Sequence, residues 1–222
     1  MIKWLQRTDP PDAFPPVSSA LTEPDGLLCA GGDLRPQRIL AAYRRGIFPW
    51  YAEGQPILWW SPDPRMVLFP HELKVSRSLR KSLRNRGFRV TFDTCFEQVV
   101  ACCAASGGRA FEGTWISPEM RQAYTELHAL GHAHSVEAWQ GETLVGGLYG
   151  LQLGRIFFGE SMFSTAADAS KVALYWLVQR LLEDGVELID CQVASEHLFS
   201  LGARLIPRTE FLARLEHGLR PA

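Results

Sequence analysis

Chemistry-bearing residues concentrate in the last third of the chain. Asp190 and Gln192 stand at i and i+2 of the apolar run VELIDCQV (186–193). If that run is a strand, the two side chains share one face and Cys191 takes the other. An acid beside an amide in apolar surroundings needs structural partners or a ligand. The alternative to a ligand is a structural polar pair at the end of a strand. Glu160 is the only acid of GRIFFGESMF (154–163), among Phe157, Phe158, Met162 and Phe163. In that company a carboxylate is either paired with a core arginine or turned to a ligand cation. Phe48, Trp50, Tyr51, Trp59 and Trp60 crowd into one short stretch, and Trp115 lies in a second loop. Aromatic faces in loops suit base stacking; Trp59 and Trp60 serve as well for the core of a small domain.

Other chemistries find little support. His132 and His134 share a strand face, but no third ligand accompanies them at a metal-binding spacing. No Gly-x-Ser-x-Gly elbow or P-loop lysine motif occurs. Cys191 has no histidine partner in sequence. No metal site is expected from these residues.

The chain has 222 residues, 46% hydrophobic and 21% charged, which is globular composition. The length allows one medium domain, or one domain with a small satellite. Apolar runs are too short to span a bilayer, and the N-terminus lacks the apolar core of a signal peptide, so a cytoplasmic protein is expected. Five cysteines, two of them adjacent, fit neither a disulfide framework nor a spaced zinc site.

Net charge is −1, but its distribution is uneven. Residues 74–89 carry seven positive charges (Lys74, Arg77, Arg80, Lys81, Arg84, Arg86, Arg89) and no acid, leaving 16 basic and 24 acidic residues elsewhere. The block reads as an anion-binding patch or as a solvated helix face. Val75, Leu79 and Leu83 recur at helical spacing, so a helix can bury that stripe and turn the basic residues outward, ending at Gly87.

The elements that position these residues can be read in outline. The first 64 residues are rich in Pro and Gly, with one helix from Pro36 to about Arg45, and SPDP (61–64) reads as a linker. Strands are expected at 66–69 and 88–92. A Thr94–Glu97 capping box opens a helix to about Ala105, and Ser117-Pro118 opens another to Leu130. Three antiparallel strands follow at 132–139, 143–153 and 155–163, then a helix from Ser170 to Asp184, a strand at 186–193 and two short helical stretches. Gly146-Gly147 inside a strand suggests a bulge or a close backbone approach to a ligand. The whole is an α+β fold: a small N-terminal α/β domain (1–62) packed on a mixed sheet with flanking helices (63–222). The element order matches the acetyltransferase-like (GNAT-like) fold, which alone assigns no function.

Three stretches go beyond composition: GGDLRPQRILAAYRRGIFPWY (31–51), PILWWSPDPRMVLFP (56–70), and HAHSVEAW, LVGGLYG, FFGESMFS, ASKVAL and LIDCQVASEHLFSLGA within 132–203. They closely resemble the leucyl/phenylalanyl-tRNA–protein transferase family, from about Phe14 to Pro207. The resemblance implies a bacterial, cytoplasmic enzyme that moves Leu, Phe or Met from aminoacyl-tRNA onto an N-terminal Arg or Lys. The product is marked for N-degron degradation. Asp190 and Gln192 then look like the catalytic pair, and Glu160 and Tyr124 like substrate-site residues. Trp50 and Trp115 look like contacts to the terminal adenosine. Leu148, Phe157, Leu174, Leu177 and Leu181 fall where the family lines its amino-acid pocket, with leucines at 177 and 181 where some members carry aromatics. Lys74, Arg77, Arg80, Lys81 and Arg84 look like the surface for the tRNA acceptor stem. A monomer is expected.

That reading is chemically coherent. The donor ester is already activated, so no ATP, metal or organic cofactor is expected, and an acceptor α-amine with a pKa of about 7.7–8.0 is partly neutral at pH 7. Positioning then supplies much of the rate. Two rivals remain. An acyl-CoA N-acetyltransferase needs a glycine-rich pyrophosphate loop, and the corresponding STAADAS (164–170) has no glycine. A non-catalytic RNA-binding protein leaves Asp190, Gln192 and Glu160 without a task.

Overall fold

A computed structural model describes residues 2–106 and 116–220. Its elements, in chain order, are β1 (Lys3–Leu5), β2 (Leu27–Gly31), α1 (Pro36–Tyr43), β3 (Phe48–Pro49), β4 (Leu58–Trp60), β5 (Arg65–Leu68), α2 (Arg77–Asn85), β6 (Arg89–Phe92), α3 (Phe96–Ser106), α4 (Pro118–Ala129), β7 (Ala133–Gln140), β8 (Thr143–Leu153), β9 (Ile156–Ser164), α5 (Ala169–Glu183), β10 (Leu188–Gln192), α6 (Glu196–Ser200), β11 (Arg204–Ile206) and α7 (Arg208–Leu219). Two sheets result. The smaller has the order β1-β2-β4-β3 and the larger β11-β5-β10-β9-β8-β7-β6. In the larger sheet only β9 and β10 run parallel; every other pair is antiparallel.

Strand alternation sorts the core into two layers. Val67, Tyr149, Leu151, Phe158 and Leu188 face one side, with α1, α3, α4, α7 and the small sheet. Met66, Leu68, Leu148, Phe157 and Ile189 face the other, covered by α5. The first layer continues into Leu28, Ile39, Tyr43, Phe48 and Trp59, so the Pro- and Gly-rich N-terminal segment shares a core with the larger sheet.

Several expectations need correction. The segment 61–64, expected as a linker, is held by hydrogen bonds. Ser61 donates its N–H to the Gly26 carbonyl, and Arg208 donates to the Ser61 carbonyl and the Asp63 carboxylate. The basic helix begins at Arg77, because the Ser76 hydroxyl caps it by accepting from the Leu79 N–H; Lys74 therefore lies in the preceding loop. The Thr94 hydroxyl donates to the Phe92 carbonyl, and α3 starts two residues on. The chain end holds an edge strand, β11, between its two helices.

The Gly146-Gly147 pair has a packing explanation. A Cβ on Gly146 would lie 2.5 Å from the Ala169 Cβ and 2.8 Å from its carbonyl carbon, where α5 begins. The close approach is between helix and strand, and a register shift beside it marks a bulge. Gly146→Ala is expected to cost about 1–3 kcal/mol of stability, read as a lowered urea midpoint with unchanged slope.

Candidate active site

The parallel strands β9 and β10 pair only as far as Phe158 and Asp190. Beyond that point they part, and two adjoining cavities open in the gap. The first, about 210 Å³, is lined by Leu68, Leu148, Phe157, Leu174, Leu177 and Ile189, with Glu160, Cys191 and Gln192 at its wall. The second, about 190 Å³, lies between Phe48, Pro49 and Trp50 on one side and Glu160, Cys191, Gln192 and Val193 on the other. The first suits an unbranched, branched or aromatic hydrocarbon side chain; at ~30 Å³ per water it equals about seven waters of volume.

Asp190 is fully buried and bidentate on Arg65: Nε donates to Oδ1 at 2.8 Å and Nη2 to Oδ2 at 2.7 Å. Arg65 is 1% exposed, its guanidinium between the rings of Phe48 and Phe211, 4.7 Å from each centroid. The Asp190 Oδ1 also accepts the Gln192 N–H at 3.0 Å. That bond draws Gln192 out of regular strand geometry into φ +56°, at a register shift between Asp190 and Gln192. The expected simple i, i+2 alternation is therefore broken: Gln192 reaches the cavities, while Asp190 lies beneath them. The Gln192 Nε2 is buried and has no hydrogen-bond partner among the described residues.

Glu160 pairs with tyrosines rather than an arginine. Tyr43 donates to Oε1 at 2.7 Å, Tyr124 donates to Oε2 at 2.8 Å, and the two hydroxyls stand 2.7 Å apart. Burial pushes Glu160 up from its ordinary 4.5 to about 7, against the pull of the tyrosine hydrogen bonds and with help from the Asp190 charge. Burial also raises the Cys191 thiol above its ordinary value, which disfavours the thiolate a nucleophile needs. His134 binds Asp93 at 2.8 Å, away from the cavities.

The sequence-derived candidates thus separate. Leu148, Phe157, Leu174, Leu177, Glu160 and Gln192 meet at the first cavity; Trp50, 43% exposed, edges the second. Tyr124 reaches the site through Glu160. Leu181 is not in the cavity wall: one turn beyond Leu177, it is buried in the core with Val178 and Val186. Trp115 lies outside the described residues. Lys74, Arg77, Arg80, Lys81 and Arg84 are all exposed. The helix α2, which carries the last four of them, is tied to the start of α5 by Ser82, whose hydroxyl donates to Asp168 at 2.7 Å. Sequence reasoning missed Arg65 and Tyr43. A lone arginine opening the apolar run RMVLF was the available signal for the first; nothing local marked the second.

An apolar cavity with a carboxyl and an amide at its wall can hold a hydrocarbon acyl group while an amine approaches. Comparison with known proteins narrows that class. The family model of the leucyl/phenylalanyl-tRNA protein transferase matches residues 67–216, and that of its N-terminal domain residues 32–63. The leucyl/phenylalanyl-tRNA–protein transferase of Stutzerimonas stutzeri is 61% identical over 97% of this chain and 94% of its own. Those of Aromatoleum aromaticum and Pseudomonas aeruginosa are 62% and 61% identical, covering 89% and 94% of their own lengths. Among solved structures, a GCN5-related N-acetyltransferase from Kribbella flavida aligns at 14% identity and TM-score 0.41, over 76% of this chain and 59% of that one. L-PGS from Bacillus licheniformis aligns at 14% and 0.43, over 71% and 66%. The chain belongs to the leucyl/phenylalanyl-tRNA–protein transferase family and is an aminoacyltransferase.

Removing one partner of a buried ion pair leaves the other charge uncompensated. Asp190→Asn is expected to cost about 3–5 kcal/mol of folding stability, measured by urea unfolding. A loss below ~1 kcal/mol would mean that the pair is not buried as described.

Proposed function

We propose that this enzyme moves leucine, phenylalanine or methionine from its tRNA ester to the α-amine of an N-terminal Arg or Lys of another protein. The observation that carries the reading is the apolar 210 Å³ cavity opening beside the Gln192 amide. The donor side chain enters between Leu148, Phe157, Leu174 and Leu177. Trp50, on the adjoining cleft, offers a face to the terminal adenosine. The exposed basic residues at 74–84 meet acceptor-stem phosphates.

The acceptor nitrogen attacks the ester carbonyl carbon, the bond from that carbon to the ribose oxygen breaks, and the nitrogen's proton is lost as the ribose oxygen gains one. The unpartnered Gln192 Nε2 donates to the carbonyl oxygen as charge develops there. Asp190 acts through Gln192: both its oxygens are committed to Arg65 and the Gln192 N–H, so it positions the amide rather than taking a proton. The ester carries its own activation, so positioning is the main catalytic device. Residues 1–62 and 63–222 serve as the two domains, in a monomeric cytoplasmic enzyme whose products are routed to N-degron degradation. Among the described residues no helix is long and apolar enough to cross a membrane.

The cavity's size should set donor choice. Leu177→Ala enlarges it, so leucine transfer is expected to fall about tenfold or more relative to phenylalanine, in a competition assay with both charged tRNAs. An unchanged ratio would remove Leu177 from the donor pocket.

A further inference from the structure

Three oxygen–oxygen contacts join Glu160, Tyr43 and Tyr124, all at 2.7–2.8 Å. Each is hydrogen-bond length and each needs one proton. A tyrosine hydroxyl supplies one proton, and an ionised carboxylate supplies none. With Glu160 ionised, two protons must serve three contacts. If both hydroxyls point at the carboxylate, the two tyrosine oxygens face each other bare at 2.7 Å. If one hydroxyl turns to the other, a bare oxygen faces the carboxylate instead. With one proton on Glu160 the count closes: the carboxyl donates to one tyrosine, that tyrosine to the other, and the second back to the free carboxyl oxygen. Tyr43 is 0% exposed and so is Tyr124, so water is not at hand to repair a broken ring.

The surroundings leave Glu160 as the group of this cluster that changes charge near neutral pH. Tyr43 on α1, Tyr124 on α4 and Tyr149 on β8 are all held well above the ordinary tyrosine value by burial. Cys103 on α3 is pushed up to about 12, and Cys191 on β10 is raised as well. Arg65 on β5 and Asp190 on β10 neutralise each other. Glu160 is also the one carboxylate in the walls of both cavities.

We propose that Glu160 carries a proton while the site is empty, closing a ring of three hydrogen bonds with Tyr43 and Tyr124, and that it gives this proton to solvent when the donor's α-ammonium docks against it. The docking half rests on the aminoacyl-transfer reading; the ring does not. Tyr43 and Tyr124 are positioning residues that set the protonation of Glu160. A donor seated with its side chain in the first cavity carries its α-amine beside this wall, and the ionised Glu160 is the counter-charge it meets.

Two experiments test the two halves. Glu160→Gln keeps a ring of the same shape, with the amide N–H in place of the carboxyl proton, but does not titrate. Stability contributed by the protonated ring is fully present below pH 4.5 and lost as pH rises through about 7. The melting temperature of the wild type is therefore expected to fall relative to Glu160→Gln between pH 5 and 8. An infrared band of a protonated carboxyl in the wild type should disappear over the same range and be missing from the variant. A wild type more stable than Glu160→Gln at pH 8, with no such band at pH 6, would overturn the ring.

The second experiment titrates the full-length protein with an amide-linked analogue of leucyl-adenosine, and with its counterpart lacking the α-amine. The aminated analogue should release close to one proton at pH 6, read by calorimetry in buffers of different ionisation enthalpy. Its affinity should rise about tenfold from pH 5 to 6, while the counterpart shows neither effect. Binding of both without proton release would overturn the docking half alone and leave the donor pocket standing. Failure of both to bind would overturn the docking half together with the reading of the cavity as a donor site.

Discussion

The buried pair of Arg65 and Asp190 ties this molecule together. Removing both charges from water is costly, and the pair is tolerated because two parallel hydrogen bonds and two flanking rings replace the lost solvent. Its members and neighbours come from β5, β10, the β3 segment and α7, so one interaction fixes how the small sheet, the large sheet and the last helix meet. Asp190 then extends the constraint by one bond. By accepting the Gln192 N–H it ends regular pairing on β10 and lets the strand part from β9. The cavities exist because of that parting. A pair of this kind adds little net stability over an apolar substitute; here it specifies a geometry.

Two layers divide the labour around the gap. The α5 layer supplies hydrocarbon walls, and a pocket built of leucines and one phenylalanine discriminates only weakly among apolar side chains. The opposite layer supplies the polar groups: the Glu160 carboxylate is held by Tyr43 and Tyr124, while the Gln192 amide nitrogen and the Tyr149 hydroxyl have no hydrogen-bond partner among the described residues. An unsatisfied buried donor costs stability in the empty protein. Aimed at developing negative charge, the same donor is preorganised and needs no rearrangement during reaction. The basic face on α2 stands outside both layers and is joined to the pocket-bearing helix through Ser82 and Asp168.

Much of this was legible in the residues. The alternation of 132–163 and the stop signals at Gly131, Gly154 and Gly185 located the central strands and α5 to within a residue or two. The long runs GIFPWY, LWWSPDPR and DCQV pointed to the family now seen in the comparisons. The side of the sheet taken by each candidate was harder. Asp190 and Gln192 read as neighbours on one face because alternation assumes an unbroken strand, whereas the register shifts between them where the Asp190 carboxylate accepts the Gln192 N–H. Leu181 was placed in the pocket by the family resemblance alone, and it lies in the core one turn past the last cavity-lining leucine of α5. Tyr43 and Glu160 lie 117 positions apart in sequence, and no local pattern connects residues that meet only after two layers pack. Short edge elements such as β3 and β11 carry too few residues for alternation to show.

The chain is an aminoacyltransferase, and a free basic N-terminus is the acceptor proposed for it. The most direct test is the transfer of labelled leucine from charged tRNA to a protein beginning with Arg, beside the same protein beginning with Ala and the same protein acetylated at Arg, with no nucleotide or metal added. Label on the free Arg N-terminus alone is the predicted result. Equal label on all three, or none on any while charged tRNA remains bound, would contradict it.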